Sequence, residues 1–95
     1  MLFAQNKTDE KGRKQGEWIK KWDNGKTRYK GTFEDDKPVG KWYYWYETGE
    51  PQTVLTYSSN GRVAYNKTYH KNEKIKAKGK YINQLRDSIW VFYDE

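Results

Sequence analysis

The chain has 95 residues, of which 34% are hydrophobic, 34% charged and 18% aromatic; its net charge is +6 and it has no cysteine. That length holds one domain or one short array. The absence of cysteine excludes disulfides and thiolate zinc sites, and no run approaches the ~20 apolar residues of a membrane-spanning helix.

The low mean hydropathy of −1.35 does not indicate disorder, because aromatic residues are abundant and regularly placed, whereas disordered chains lack them. Few aliphatic side chains are present, so Trp and Tyr must supply the core, each large ring burying about 150–250 Å².

The first five residues, Met1-Leu2-Phe3-Ala4-Gln5, have two readings. They are the tail of a signal peptide, which would place the protein outside the cytoplasm, or a plain apolar start, which would leave it inside. Residues 1–15 form a lead-in that is polar from Gln5 onward and holds a short extended stretch at most. From Gly16 the pattern changes: Trp18, Lys20 and Trp22 alternate with Glu17, Ile19 and Lys21, the period of a strand. Asn24-Gly25 predicts a type I′ hairpin turn, with both central residues at positive φ. The return strand runs from Lys26 to Glu34.

Asp35-Asp36-Lys37-Pro38 makes the next turn. A strand from Val39 to Glu47 follows, then Thr48-Gly49, a return strand from Glu50 to Ser58, and a turn at Ser59-Asn60-Gly61. The last return strand is Lys74 to Ile82. Asn83 to Asp87 forms a loop, and Ser88 to Asp94 a seventh strand. No segment of ten residues carries helical apolar spacing. The expected fold is all-β: an antiparallel meander of repeated β-hairpins forming one elongated, twisted sheet.

A period of 24 residues underlies this order. Gly16, Gly40, Ala64 and Ser88 form one column; Trp18, Trp42, Asn66 and Trp90 a second; Gly25, Gly49 and Glu73 a third; Phe33, Tyr57 and Tyr81 a fourth. Such periodicity marks a repeat array, with units at about 16–39, 40–63 and 64–87 and a partial unit at 88–95.

The third unit departs from the pattern. Eight residues separate Tyr57 from Tyr65, where Phe33 and Trp42 are nine apart. A one-residue deletion, compensated in a longer turn around Lys71-Asn72-Glu73, would put Tyr65 and Tyr69 on the Trp18 face, because a one-residue slip reverses every side chain. Finding Asn66, Thr68 and His70 on that face would reject this reading.

No catalytic constellation emerges, and the chain is expected to be neither an enzyme nor a cofactor protein. His70 reads as a solvated turn residue and Asp35-Asp36 as turn formers; two adjacent carboxylates do not build a six-oxygen cation site. No phosphate loop or catalytic metal site is present.

The expected core comprises Trp18, Trp22, Phe33, Trp42, Tyr44, Tyr46, Tyr57, Tyr65, Tyr69, Tyr81, Trp90 and Phe92, with Tyr29, Leu55 and Ile75 on the same stripe. Tyr43, Trp45, Val54, Val91 and Tyr93 point the other way. With Lys20 and Lys41 supplying charge, Tyr43, Trp45 and Tyr93 are candidate binding residues, unless the sheet curls so that both faces are covered. The strand from Ile89 to Glu95 has no hairpin mate and offers an edge for self-association or for another chain.

These residues resemble the MORN-repeat variant family. The theme stands as Gly16-Glu17-Trp18, Trp22, Asn24-Gly25 and Gly31-Thr32-Phe33, recurs from Gly40-Lys41-Trp42, and persists at Gly79-Lys80-Tyr81 and Ser88-Ile89-Trp90. Asn66, Leu55 and Glu73 depart from it. The resemblance covers about residues 6–95. It implies stacked hairpins and a non-enzymatic interaction role; similar bacterial proteins carry an antitoxin label.

Another protein is the expected partner. Binding of anionic membrane lipids or cell-wall glycans is the alternative, antitoxin-like neutralisation a third, and nucleic acid is not favoured.

Overall fold

The computed structural model describes residues 6–58, 61–86 and 89–94. The apolar start Met1–Gln5, most of the Ser59-Asn60-Gly61 turn, Ser88 of the small-residue column and Glu95 at the end of the expected edge lie outside the described residues. Nine antiparallel strands form one open meander: β1 (Lys7–Thr8), β2 (Lys14–Lys21), β3 (Thr27–Glu34), β4 (Lys37–Trp45), β5 (Pro51–Tyr57), β6 (Val63–Tyr69), β7 (Ile75–Ile82), β8 (Leu85–Arg86) and β9 (Val91–Phe92). Consecutive strands are neighbours from β1 to β8, and β9 also pairs with β7. The described residues contain no helix. The sheet measures 46 × 33 × 21 Å and does not close on itself, so each face is left open.

One margin of the sheet carries three-residue loops, whereas the other carries connections of two to four residues, the 10–12 loop between Asp9 and Arg13 among them. At one margin Trp22, Tyr46 and His70 start three-residue loops. Each ring-bearing residue donates its amide N–H to the carbonyl four residues on (Lys26, Glu50, Lys74), and the third loop residue (Gly25, Gly49, Glu73) donates back to it. Gly25 has φ 87° and Glu73 φ 69°, whereas Asn24 is not left-handed. The expected type I′ turn at Asn24-Gly25 is therefore corrected. Asn24 instead accepts the Lys26 N–H at 2.9 Å, as Asn72 accepts that of Lys74 at 3.0 Å, and only the following residue turns left-handed.

The two-residue turns stand at the other margin. Asp35 and Asp36 (φ 51° and 66°) and Asn83 and Gln84 (φ 51° and 68°) each place two residues at positive φ, between the pairs Glu34↔Lys37 and Ile82↔Leu85. The expected loop at Asn83 to Asp87 is thus a tight turn that enters β8.

The third unit corrects the expected slip. In β3/β4 the register shifts by two between Lys30↔Tyr43 and Thr32↔Val39, around Gly40 at φ 67°. In β5/β6 no shift occurs: Val54↔Lys67, Leu55↔Asn66, Thr56↔Tyr65 and Tyr57↔Ala64 are continuous. Ala64 replaces the left-handed glycine, so the strand runs straight. Beyond this pairing the Ser58 N–H bonds to the Val63 carbonyl, so two more residues separate the β5 and β6 pairing than Asp35-Asp36 place between β3 and β4.

A change of two leaves side-chain phase intact. Asn66 therefore lies opposite Leu55 and Gly79 and is 7% exposed, on the face of Trp42. Tyr65 lies opposite Thr56 and Lys80 on the other face and is 56% exposed. Tyr69 lines that same outer face with Tyr43 and Val54. Neither Tyr65 nor Tyr69 belongs to the core, and the loop at 71–73 is no longer than its equivalents.

The inner face holds the core. Trp42, Ala64, Ala77 and Asn66 are buried. Trp18 meets Phe33 edge-on at 5.6 Å and Phe33 meets Trp42 at 4.8 Å; Tyr29 and Tyr44 adjoin at 5.8 Å. Trp90 packs on Tyr81 at 5.1 Å and lies 6.3 Å from Phe92, which is 61% exposed and therefore, against expectation, outside the core. Cations lie over several rings, with Lys14 at 5.1 Å from both Trp18 and Phe33 and Arg86 at 4.9 Å from Trp90. Their apolar stems cover ring surface that a second layer would otherwise bury.

Two departures from the repeat have one cause. Gly31 lies beneath Trp42, and a Cβ there would sit 2.0 Å from the indole; at Gly79 it would sit 2.4 Å from Trp90. Each of these indoles donates its N–H to a carbonyl ten residues earlier, Thr32 and Lys80, at 3.2 Å. Leu55, late in the second unit, stands in the Gly position, and Asn66, early in the third, in the Trp position. A leucine cannot lie under an indole, so the two residues change together.

Candidate binding faces of the sheet

Strand alternation sets Glu17, Lys41, Tyr65 and Ile89 in one outer column, Ile19, Tyr43, Lys67 and Val91 in the next, and Lys21, Trp45, Tyr69 and Tyr93 in a third. Across the strands, Lys30, Tyr43, Val54, Lys67, Lys78 and Val91 are successive register partners. Lys41, Thr56, Tyr65 and Lys80 form a second row.

A groove of about 740 Å³ runs over these rows, lined by Lys41, Lys67, Lys78 and Lys80 together with Tyr43, Val54, Tyr65 and Val91; no carboxylate lines it among the described residues. Lys41 on β4 and Lys80 on β7 are three strand spacings apart, about 14 Å. Lys67 and Lys78 are direct cross-strand partners. Like charges placed opposite each other destabilise a sheet, and no ion pair of Lys41, Lys67 or Lys78 occurs among the described residues. The Lys30–Glu17 pair at 3.8 Å lies over β2 and β3, away from the groove. An anionic partner would relieve this repulsion.

Of the residues singled out from sequence, Tyr43 and Lys41 line the groove. Trp45 adjoins it, its ring 6.1 Å from that of Tyr43 and stacked at 27°, in a smaller hollow with Pro51 and Tyr69. Tyr93 is on the same face, donating its N–H to the Lys76 carbonyl at 2.8 Å, and is 41% exposed. Lys20 is not brought to this site. It lies opposite Tyr29, on the inner face. Sequence reasoning missed Tyr65, Lys67, Lys78 and Lys80. Continuous 24-residue phasing through the third unit places Tyr65 and Lys67 beneath Lys41 and Tyr43 and would have found them.

His70 starts the 71–73 loop, and its ring also makes a hydrogen bond. Its Nε2 lies 3.1 Å from the Tyr93 carbonyl, an acceptor, so Nε2 carries the hydrogen. Trp22 Nε1 donates to the Trp45 carbonyl at 3.2 Å and the Tyr46 hydroxyl to the Tyr69 carbonyl at 2.6 Å. All three rings bond the carbonyl 23 residues ahead. His70 therefore occupies a structural column that links adjacent units. Among the described residues no three His, Asp or Glu side chains come together to hold a metal ion.

The terminal edge is the second candidate. Leu85, Ile89, Val91, Phe92 and Tyr93 are all exposed along it, Ile89 and Leu85 to 74% and 73%.

Comparison of the chain with protein-family models, with curated proteins and with solved structures finds no match.

Proposed function

We propose that the chain is a non-catalytic interaction module of MORN-repeat variant type, whose outer face grips an acidic segment of a partner protein. The observation that carries this reading is the lysine-lined groove, with no carboxylate among its described lining residues, in which Lys67 and Lys78 are held directly opposed by the ladder. Lysines paired with a partner's carboxylates supply orientation and rapid encounter, and Tyr43, Tyr65 and Trp45 supply apolar area for a few anchoring contacts. Antitoxin-like neutralisation would be one instance of such binding, and the exposed terminal edge offers a further contact by strand addition.

The test is binding of a labelled, extended peptide of Glu and Tyr residues at low and high salt. Binding at low salt that weakens as salt rises is expected. Lys67→Glu with Lys78→Glu should weaken it at least tenfold, about 1.4 kcal/mol. Lys20→Glu, on the opposite face, should not. Absence of peptide binding at low salt refutes the reading. Vesicles of anionic lipid and cell-wall glycan fragments are assayed alongside; binding to either without binding to peptide would put the lipid or glycan reading in its place.

A further inference from the structure

The inner face has one interruption in its layer of rings, on the opposite side of the sheet from the basic groove. Across the strands the layer runs Trp18, Phe33, Trp42, Tyr57, Asn66, Tyr81, Trp90. Indoles stand edge-on to their neighbours, with Phe33–Trp42 at 74° and Tyr81–Trp90 at 71°. At position 66 an amide stands in place of the ring.

A concavity of about 780 Å³ opens between Tyr57 and Tyr81, floored by Leu55 and Ala64 and bounded by Pro38 and Arg62. Its volume falls within the range of ligand sites. Burial raises the Tyr57 phenol above its ordinary 10.0, with the nearby Tyr81 phenol as the lesser cause, so the two walls face a common space.

We propose that this concavity is a socket for one planar aromatic side chain, of Trp or Tyr size, presented on a peptide segment of a partner protein. The occupant is indicated by the chain itself. Phe33 receives the Trp42 indole from the following strand and Tyr81 the Trp90 indole from just before β9, while Tyr57, their equivalent, has no ring partner among the described residues. Residue 66 cannot supply one, because Leu55 removes the bed on which the ring would lie: the same position is glycine beneath both Trp42 and Trp90, and a Cβ there would meet the ring at 2.0 or 2.4 Å. A ring from outside enters between the Tyr57 and Tyr81 walls. At the mouth of the socket Asn83 and Gln84 carry amides that can bond the main chain of an incoming peptide.

The experiment titrates N-acetyltryptophan amide into isotopically labelled protein and follows the Leu55 and Ala64 methyls and the Tyr57 and Tyr81 rings by NMR. Saturable shifts at these four residues are expected, with none from N-acetylalanine amide. The double variant Leu55→Gly, Asn66→Trp rebuilds the Gly–Trp pair and fills the socket from within, so affinity should fall at least tenfold; if it does not fold, Ala64→Leu, which raises the floor, serves instead. Lys67→Glu with Lys78→Glu should bind the probe unchanged, which separates failure of the socket from failure of the basic groove. Absence of saturable shifts up to the solubility of the probe, or equal binding by a folded variant with the socket filled, overturns the proposal.

Discussion

Replacing Gly31 by alanine tests the bed-and-ring arrangement of the repeat. The new Cβ would lie 2.0, 2.2 and 2.4 Å from Cδ2, Cε2 and Cε3 of Trp42. These atoms belong to the body of the ring, and Trp42 is only 4% exposed. Ordinary carbon contact needs about 3.5–4.0 Å, so the indole must retreat by about 1.5 Å. That movement breaks the edge-on contact with Phe33, about 0.5–1.5 kcal/mol, and the bond to the Thr32 carbonyl, about 0.5–1.5 kcal/mol. Strain from overpacking adds about 1–3 kcal/mol, and alanine's better strand entropy returns about 0.5–1 kcal/mol.

The expected net loss is about 1–5.5 kcal/mol, a fall in Tm of about 4–44 °C for a chain of this size. Urea unfolding followed by indole fluorescence and by far-ultraviolet circular dichroism measures it. Gly40→Ala is the control: its φ is 67° but nothing lies within 4 Å of the added Cβ, so it should lose only the backbone cost of about 1–2 kcal/mol. Gly31→Leu with Trp42→Asn copies the Leu55–Asn66 pair and should cost less than the sum of the single changes. A Gly31→Ala protein within ~0.5 kcal/mol of the parent, a change ordinary for a surface site, would refute the reasoning.

Four further outcomes are expected. Glu73 is the one non-glycine residue closing a three-residue turn in the left-handed region, so Glu73→Gly should stabilise by about 0.5–1 kcal/mol, the left-handed strain relieved less the entropy of glycine, read from urea midpoints. His70→Phe removes the donor to the Tyr93 carbonyl and should cost about 0.5–1.5 kcal/mol, with faster hydrogen exchange at the Tyr93 amide as its local signature. The Asp9 carboxyl is held at about 2, against an ordinary 3.8, first by the Arg13 N–H and then by the Gln15 and Arg13 side chains and the Lys11 N–H, with burial opposing; a depressed carboxyl pKa gives stability that is fully present above pH 3.8 and lost as pH falls through about 2, so NMR titration should show the 9–13 turn opening in that window. Burial, then neighbouring phenols, raises Tyr44 and Tyr57 above 10.0; folded protein favours their protonated forms, so stability declines as pH rises beyond 10.0, visible as late phenolate absorbance and alkaline unfolding.

The antiparallel meander and the aromatic stripe are legible because period-two alternation and a fixed 24-residue spacing both survive in the side chains; the two-residue strands β1 and β8, which raise the expected seven strands to nine, are too short to show it. In the third unit, aromatic identity favours Tyr65 for the core, whereas column position favours Asn66. Asn66 looked like an intruder, yet burial opposite Leu55 and Gly79 follows from keeping the phase. What the spacing could not show is that a glycine bulge and a loop can exchange two residues without altering the total. Nor does Asn24-Gly25 by itself state its turn: the hairpin geometry depends on how many residues are left unpaired, and here the Asn side chain satisfies an amide instead of turning left-handed. The basic groove was half legible. Tyr43 and Lys41 were assigned from alternation, while Lys78 and Lys80 join them only through pairing across strands far apart in sequence.

The bonds that Trp22, Tyr46 and His70 send to the carbonyls of the following unit rivet one long margin of the sheet. An inserted residue there would break its own hairpin and detach the neighbour as well. The opposite margin already tolerates connections of unequal length, two residues at Asp35-Asp36 and four between Ser58 and Val63. Evolutionary drift, tags and grafted recognition segments should therefore be accepted along that second margin and rejected along the first.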